Sequence, residues 1–202
     1  MLLVHSWSGR GTQLVKIAEE LIKNGFSTVS FDAPVNGKSG SKTTLMPEFI
    51  ASILEIEKQF GPFEFVIGHS LGGMSILYAM KEGLTIKKAV IIGSGYIIQD
   101  ILNDLVSKIE LKPETASMMK THFEKKYGVE MESYSASFAA KSVEIPVLII
   151  HDEQDEEIAV KAAYNIHSNL KKGEIHITKK LGHRKILGNE KVIESILNFI
   201  LN

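Results

Sequence analysis

The segment Phe65-Val-Ile-Gly-His-Ser-Leu-Gly-Gly73 carries the sharpest chemical signal in the chain. Within it, Gly68-His69-Ser70-Leu71-Gly72 reads Gly-x-Ser-x-Gly, after an apolar strand-like run and before a helical segment. A serine in such a strand-to-helix turn is projected above the sheet, and small neighbours let strand and helix pass closely. This placement suits Ser70 to nucleophilic attack. The competing readings are a Gly-rich turn without chemistry or a phosphate-binding loop. The second lacks both the Lys-Ser/Thr pair of a P-loop and the spacing of a dinucleotide fingerprint.

A serine hydroxyl is a weak nucleophile near neutral pH unless a base takes its proton. Seven histidines are available. His5 and His69 belong to turn motifs, His151 ends a predicted strand, His122 and His167 fall on predicted helices, and His176 lies inside the last strand. His183 differs: Leu181-Gly-His-Arg184 is a loop between the last predicted strand and the final helix. Ligands of open parallel sheets gather at the carboxyl ends of the strands, where Ser70 also falls. A carboxylate partner is expected in His151-Asp-Glu-Gln-Asp-Glu-Glu157, after the strand predicted over Val147–His151. Asp155 is preferred because the loop needs a few residues to turn back over the sheet; Asp152 is the alternative. The other acids there suit a helix N-terminus. Such a carboxylate would fix the imidazole tautomer and stabilise the imidazolium.

Apolar, β-branched runs bounded by turn residues predict six strands, at Leu2–Val4, Thr28–Phe31, Phe65–Gly68, Ala89–Gly93, Val147–His151 and Glu174–Thr178. Helical periodicity lies between them, as in Leu14, Ile17, Ala18, Leu21, Ile22 and in Ile193, Ile196, Leu197, Ile200. Asn24-Gly25 is a stop signal for the first of these helices. The alternation predicts an α/β fold with a mostly parallel six-stranded sheet flanked by helices. Residues 95–140 break the rhythm: no strand is predicted there, only helical pieces such as Asp100–Ile109 and Glu114–Tyr127. We read 95–140 as a helical cap inserted into a core formed by 1–94 and 141–202.

Composition narrows the function classes. The 202 residues are 44% hydrophobic and 23% charged with a net charge of −1, a globular mix without a basic stripe, so nucleic acid is not an expected partner. Lys171–Lys172 and Lys179–Lys180 read as solvated surface. The absence of cysteine excludes disulfides and thiolate catalysis. No signal peptide and no membrane-spanning run is visible, so the expectation is a cytoplasmic protein that does not enter membranes.

These residues together resemble the α/β-hydrolase superfamily, in particular its small esterase-like members with a helical cap, over nearly the whole chain. Val4-His-Ser-Trp-Ser-Gly9 is similar to that family's His-Gly-x-x-Gly turn, whose backbone amide supplies half of an oxyanion hole. The resemblance implies Trp7 and Leu71 as the two amide donors. Phe31-Asp-Ala-Pro-Val-Asn-Gly-Lys-Ser39 resembles the family's Asp-x-Pro-Gly-x-Gly-x-Ser loop, in which Asp32 is expected to hold backbone amides. Ser6 and Val35 stand where the family usually has glycine, and a positive φ at Ser6 would be strained. The chain begins at the family's third strand. The strand at Thr28–Phe31 would then be an exposed edge that a second copy of the chain could cover.

The resemblance implies hydrolysis of a small carboxylic ester through an acyl-enzyme on Ser70, with no metal or cofactor. Tyr96 and Ile97, just past the fourth of the predicted strands, and the Trp7 side chain are the expected substrate contacts. The cap's Met118, Met119, Phe123, Tyr127, Met131, Tyr134 and Phe138 read mainly as packing residues, leaving a small apolar pocket for a short or medium acyl group. A thioesterase or amidase would use the same residues, and a non-catalytic ligand-binding protein could keep the fold.

Overall fold

The computed structural model describes residues 1–42 and 44–202. Six strands form one sheet: β1 (Leu2–Val4), β2 (Val29–Ser30), β3 (Phe65–His69), β4 (Lys88–Ile92), β5 (Val147–Asp152) and β6 (Gly173–Thr178). Their order is β2-β1-β3-β4-β5-β6 and every pairing is parallel. The helices are α1 (Val15–Lys23), α2 (Met46–Phe60), α3 (Leu71–Lys81), α4 (Ile98–Lys108), α5 (Glu114–Tyr127), α6 (Ala136–Ala140), α7 (Lys161–Asn169), α8 (Gly182–Lys185) and α9 (Glu190–Leu201).

Both sheet faces are covered, so the strands read as continuous apolar runs whose side chains alternate between two cores. On one face Leu2, Val4, Val66, Ile91, Val147 and Ile149 pack with side chains of α2, α3 and α7, including Phe49, Ile76 and Ile166. On the other face Leu3, Ile67, Val90, Leu148 and Ile150 pack with Ile17 and Leu21 of α1 and Ile196 of α9. Of the predicted stripe of α1, Leu14, Ile17 and Leu21 are buried and Ala18 partly so, while Ile22 at its end is 59% exposed. There Gly25 adopts φ +85 and Phe26 N–H closes onto Leu21 O at 3.0 Å, ending the helix.

β2 is shorter than the predicted Thr28–Phe31. Its ladder covers only Leu2↔Val29 and Leu3↔Ser30, and the Ala33 N–H farther on donates to His5 Nε2 at 2.9 Å. A two-residue edge strand offers little template for pairing.

The chain leaves β1 toward β2 on one side, whereas β3 to β6 build outward on the other. The crevice above β1 and β3 is therefore the switch point at which open α/β sheets bind ligands. Residues 95–140 lie between β4 and β5 and contain α4, α5, a short 3₁₀ turn at Met131–Tyr134, and α6. α6 is packed into the core through the fully buried Ala136, Ala139 and Ala140. By contrast α4 and α5 bury one residue each, Val106 and Ala116. Tyr127 Oη of α5 donates to Glu48 Oε1 of α2 at 2.6 Å. Lys108 Nζ of α4 reaches the carbonyls of Glu156 and Glu157 at 3.0 and 3.3 Å. Among the described residues, no helix is long and apolar enough to cross a membrane.

Candidate active site

Ser70 forms the turn between β3 and α3 at φ 54, ψ −119, a backbone region that residues with a Cβ rarely occupy. Such strain costs about 1–3 kcal/mol and persists only where the surroundings over-determine it. Here they do. Ser70 N–H donates to Ile92 O at 2.9 Å, and Ser70 O accepts from Gly73 N–H at 3.0 Å and Ser94 Oγ at 2.9 Å. The flanking glycines are required by close approach. A Cβ on Gly68 would lie 2.4 Å from Ile76 Cδ1, and one on Gly72 would lie 2.6 Å from the carbonyl oxygens of Val4 and His5.

His183 follows β6 in α8 and Asp155 follows β5. Their side chains meet, with His183 Nδ1 2.7 Å from Asp155 Oδ2 in a buried pair. The other carboxylate oxygen accepts from Glu157 N–H at 2.9 Å and Ile158 N–H at 2.8 Å. Burial alone would push the Asp155 carboxyl up. The His151 imidazole beside it and hydrogen bonds from His183 and the Ile158 amide outweigh it and hold the group well below the usual carboxylate range. Asp152 is also buried but serves the fold: its oxygens take Thr178 Oγ1 at 2.7 Å, Leu181 N–H at 3.0 Å and Gln154 N–H at 2.9 Å. The geometry thus separates two acids that sequence alone left open.

Ser70 Oγ makes no hydrogen bond among the described residues, so the contact between hydroxyl and imidazole is open in this conformation. Contacts of this kind are often loose before substrate binds. His183 Nε2 instead lies 3.9 Å from Glu157 Oε2, whose carboxylate is bridged by Arg184 Nε at 3.0 Å.

The amides of Trp7 and Leu71 donate no hydrogen bond to the protein among the described residues. Leu71 is the first residue of α3, where helix N–H groups are unsatisfied and the dipole favours negative charge. Ser6 does not take the positive φ that would have strained a serine at this position. Gln13 clamps it reciprocally, Ser6 N–H to Oε1 and Gln13 Nε2 to Ser6 Oγ, both at 2.8 Å. His5 adds a buried link, its Nδ1–H donating to Ser6 O at 2.6 Å. Asp32 holds the Gly11 and Lys38 amides at 2.7 and 2.8 Å, the structural role expected of it.

A cleft of about 750 Å³ opens beside Trp7 and Leu71 and runs under α4 and α5. Met118, Met119, Phe123, Tyr127 and Met131 line it, so most of the cap residues read as packing face the cleft instead. Tyr134 stacks on Tyr78 at 4.5 Å, away from it. Tyr96 and Ile97, the expected substrate contacts, do not line the cleft. Tyr96 packs against the core, and Ile97 borders a separate depression with Phe138. The turn after Gly95 carries Ile98 and Ile101 to the cleft in their place.

Four side chains near Ser70 and His183 carried no signal that set them apart. They are Gln13, Glu157, His69 and His151. His151 is fully buried and donates through Nε2 to Ile158 O at 2.9 Å, with Asp155 Oδ2 at 3.4 Å. His69 stood out only as the variable position of the Gly-x-Ser-x-Gly pattern.

No family model and no curated protein sequence matches the chain. Solved structures do. An esterase from Exiguobacterium antarcticum superposes with a TM-score of 0.76 at 15% identity, covering 100% of this chain and 91% of the other. A monoacylglycerol lipase from Paleococcus ferrophilus gives 0.75 at 22% identity, covering 99% and 93%. Est1E from Butyrivibrio proteoclasticus, solved with bound ferulic acid, gives 0.71 at 20% identity, covering 100% and 89%. The fold is that of the α/β-hydrolase superfamily.

Proposed function

We propose that this chain is a serine hydrolase that cleaves a carboxylic ester through an acyl-enzyme on Ser70. The observation that carries this reading is the buried Asp155–His183 pair, on the same sheet end as a serine held in a strained turn. In the reaction, Ser70 Oγ attacks the acyl carbon while His183 Nε2 takes the hydroxyl proton. Asp155, kept ionised by its hydrogen bonds, stabilises the imidazolium. The Trp7 and Leu71 amides receive the oxyanion, a role in which one donor is typically worth about 3–4 kcal/mol of barrier. Collapse expels the alkoxide, which takes the proton from His183. Water then attacks the acyl carbon, gives its proton to His183, and Ser70 leaves with that proton restored.

The cleft, at about 750 Å³, supports an apolar acyl group at or above the medium end of the short-to-medium range expected from sequence. Supporting the ester reading, the similar structures include esterases and a lipase. A second reading, a ligand-binding protein without turnover, draws on the open Ser70–His183 contact.

A fluorophosphonate probe separates the two. Wild type is expected to label covalently and hydrolyse aryl esters. Ser70→Ala should not label, and His183→Ala should lose at least about 10³-fold in kcat. Asp155→Asn should lose about as much, whereas Asp152→Asn should lower stability more than turnover. A folded wild type that neither labels nor hydrolyses any ester would establish the binding reading, and labelling that survives in Ser70→Ala would remove Ser70 from its role.

A further inference from the structure

The strands that deliver Ser70 and His183 are not neighbours. β4 and β5 separate β3 from β6, a span of three strand spacings or about 14 Å. The loop after β6 must therefore lean back across two strands to meet the nucleophile. Asp155, after β5, fixes one end of the His183 ring, and Asp152 holds the Leu181 amide just before it, but neither ties this loop to the strand of the nucleophile.

His69 makes the missing connection. It is the last residue of β3, next to Ser70 in sequence, and 1% exposed. Its Nε2 lies 2.9 Å from the carbonyl oxygen of His183, and a carbonyl only accepts, so Nε2 carries the proton. The other nitrogen, Nδ1, is 3.4 Å from Gln13 Oε1. With the proton on Nε2, Nδ1 is an acceptor facing another acceptor, so this second contact is not a hydrogen bond. The two imidazoles are packed 4.5 Å apart between centroids. Gly93, at the end of β4, is the floor beneath them. A Cβ there would lie 3.3 Å from His183 Cε1 and Nδ1 and 3.5 Å from His69 Nε2, and its φ of +56 also favours glycine.

We propose that His69 is a positioning residue that holds the backbone of the catalytic base at a set distance from the nucleophile through its Nε2–H bond to the His183 carbonyl. This rests on the serine-hydrolase reading and adds to it a part that the triad and oxyanion donors do not supply. Burial, followed by the nearby charge of His183, pushes the His69 imidazole down to about 3, so the donor stays in one protonation state across the working range. Displacing a catalytic group by about 1 Å costs on the order of 10²-fold in rate.

The test compares His69→Gln, whose amide can place a donor near the Nε2 position, with His69→Leu, which fills space but donates nothing. With His69→Leu, kcat and the fluorophosphonate labelling rate are expected to fall about 10–100-fold with KM changed by less than about threefold. His69→Gln should recover most of that loss. Wild-type turnover in a folded His69→Leu would overturn the proposal. So would equal impairment of the two variants, which would make the role one of packing. Nitrogen-15 shifts of His69 in the wild type give an arm that needs no variant to fold. A proton on Nε2 from pH 5 to 8 is expected, and a proton on Nδ1 would refute the bond. If wild type fails to label at all, the hydrolase reading fails, while the nitrogen shifts still decide whether the bond exists.

Discussion

His69 and Asp155 are buried ionisable side chains whose surroundings select opposite states. Desolvation keeps His69 neutral, while donated hydrogen bonds keep Asp155 charged against the same penalty. Both groups have folded values below their unfolded ones, so each contributes stability that is lost as pH falls, but in different windows. The loss due to His69 starts near the unfolded value of about 6.5 and continues to about 3, at about 1.4 kcal/mol per pH unit. Asp155 loses its contribution only below its unfolded value of about 4. Between pH 6 and 4, His69→Gln is therefore expected to show a stability slope shallower by about 1.4 kcal/mol per unit, read from urea midpoints at constant m-value. Parallel slopes for variant and wild type would show that His69 is protonated no less readily in the folded state.

Among the elements, the loop between β2 and α2 shows how a valine is accommodated in left-handed backbone. Val35 takes φ +70, where a β-branched residue is a strong outlier, and it is 47% exposed, so no packing compensates. Asn36 N–H to Ala33 O at 2.9 Å and the two amides on Asp32 hold the turn around it. Left-handed backbone costs a residue with a Cβ about 1–2 kcal/mol, against about 0.5–1 kcal/mol of extra chain entropy for glycine. Val35→Gly is expected to raise Tm by about 1–3 °C without altering ester turnover, measured by thermal unfolding and aryl-ester kinetics. A lower Tm would mean that the valine side chain contributes contacts beyond those of the turn.

At the scale of the whole molecule, α4 and α5 form a roof whose apolar side chains face the cleft rather than a core. It is tied down on two sides, by Tyr127 to Glu48 and by Lys108 to the loop that carries Asp155. The roof and the Asp155–His183 pair therefore share a support. Each methylene transferred from water into such a cleft is worth about 0.8 kcal/mol, or about fourfold in kcat/KM. A series of aryl esters is expected to gain about that factor per methylene until the cleft is full. Met119→Trp should move the optimum to shorter chains. A series that is flat or falls beyond acetate would place the acyl group elsewhere.

Contiguous signals were legible from the chain alone. The strand, turn and helix around Ser70 are consecutive residues, and the parallel sheet follows from their alternation with helical periodicity. His183 could be placed by chain order, because strand ends determine which loops share a rim. What the tertiary structure alone decided were the relations between distant segments. Asp152 ends β5 and Asp155 lies just beyond it, and the two differ in which amides and which imidazole reach them. Apolar periodicity on α5 reads the same whether the face meets a core or a cleft, since both exclude water. His69 looked like a filler in a motif because its partner is a backbone carbonyl 114 residues away, and every residue type offers one of those.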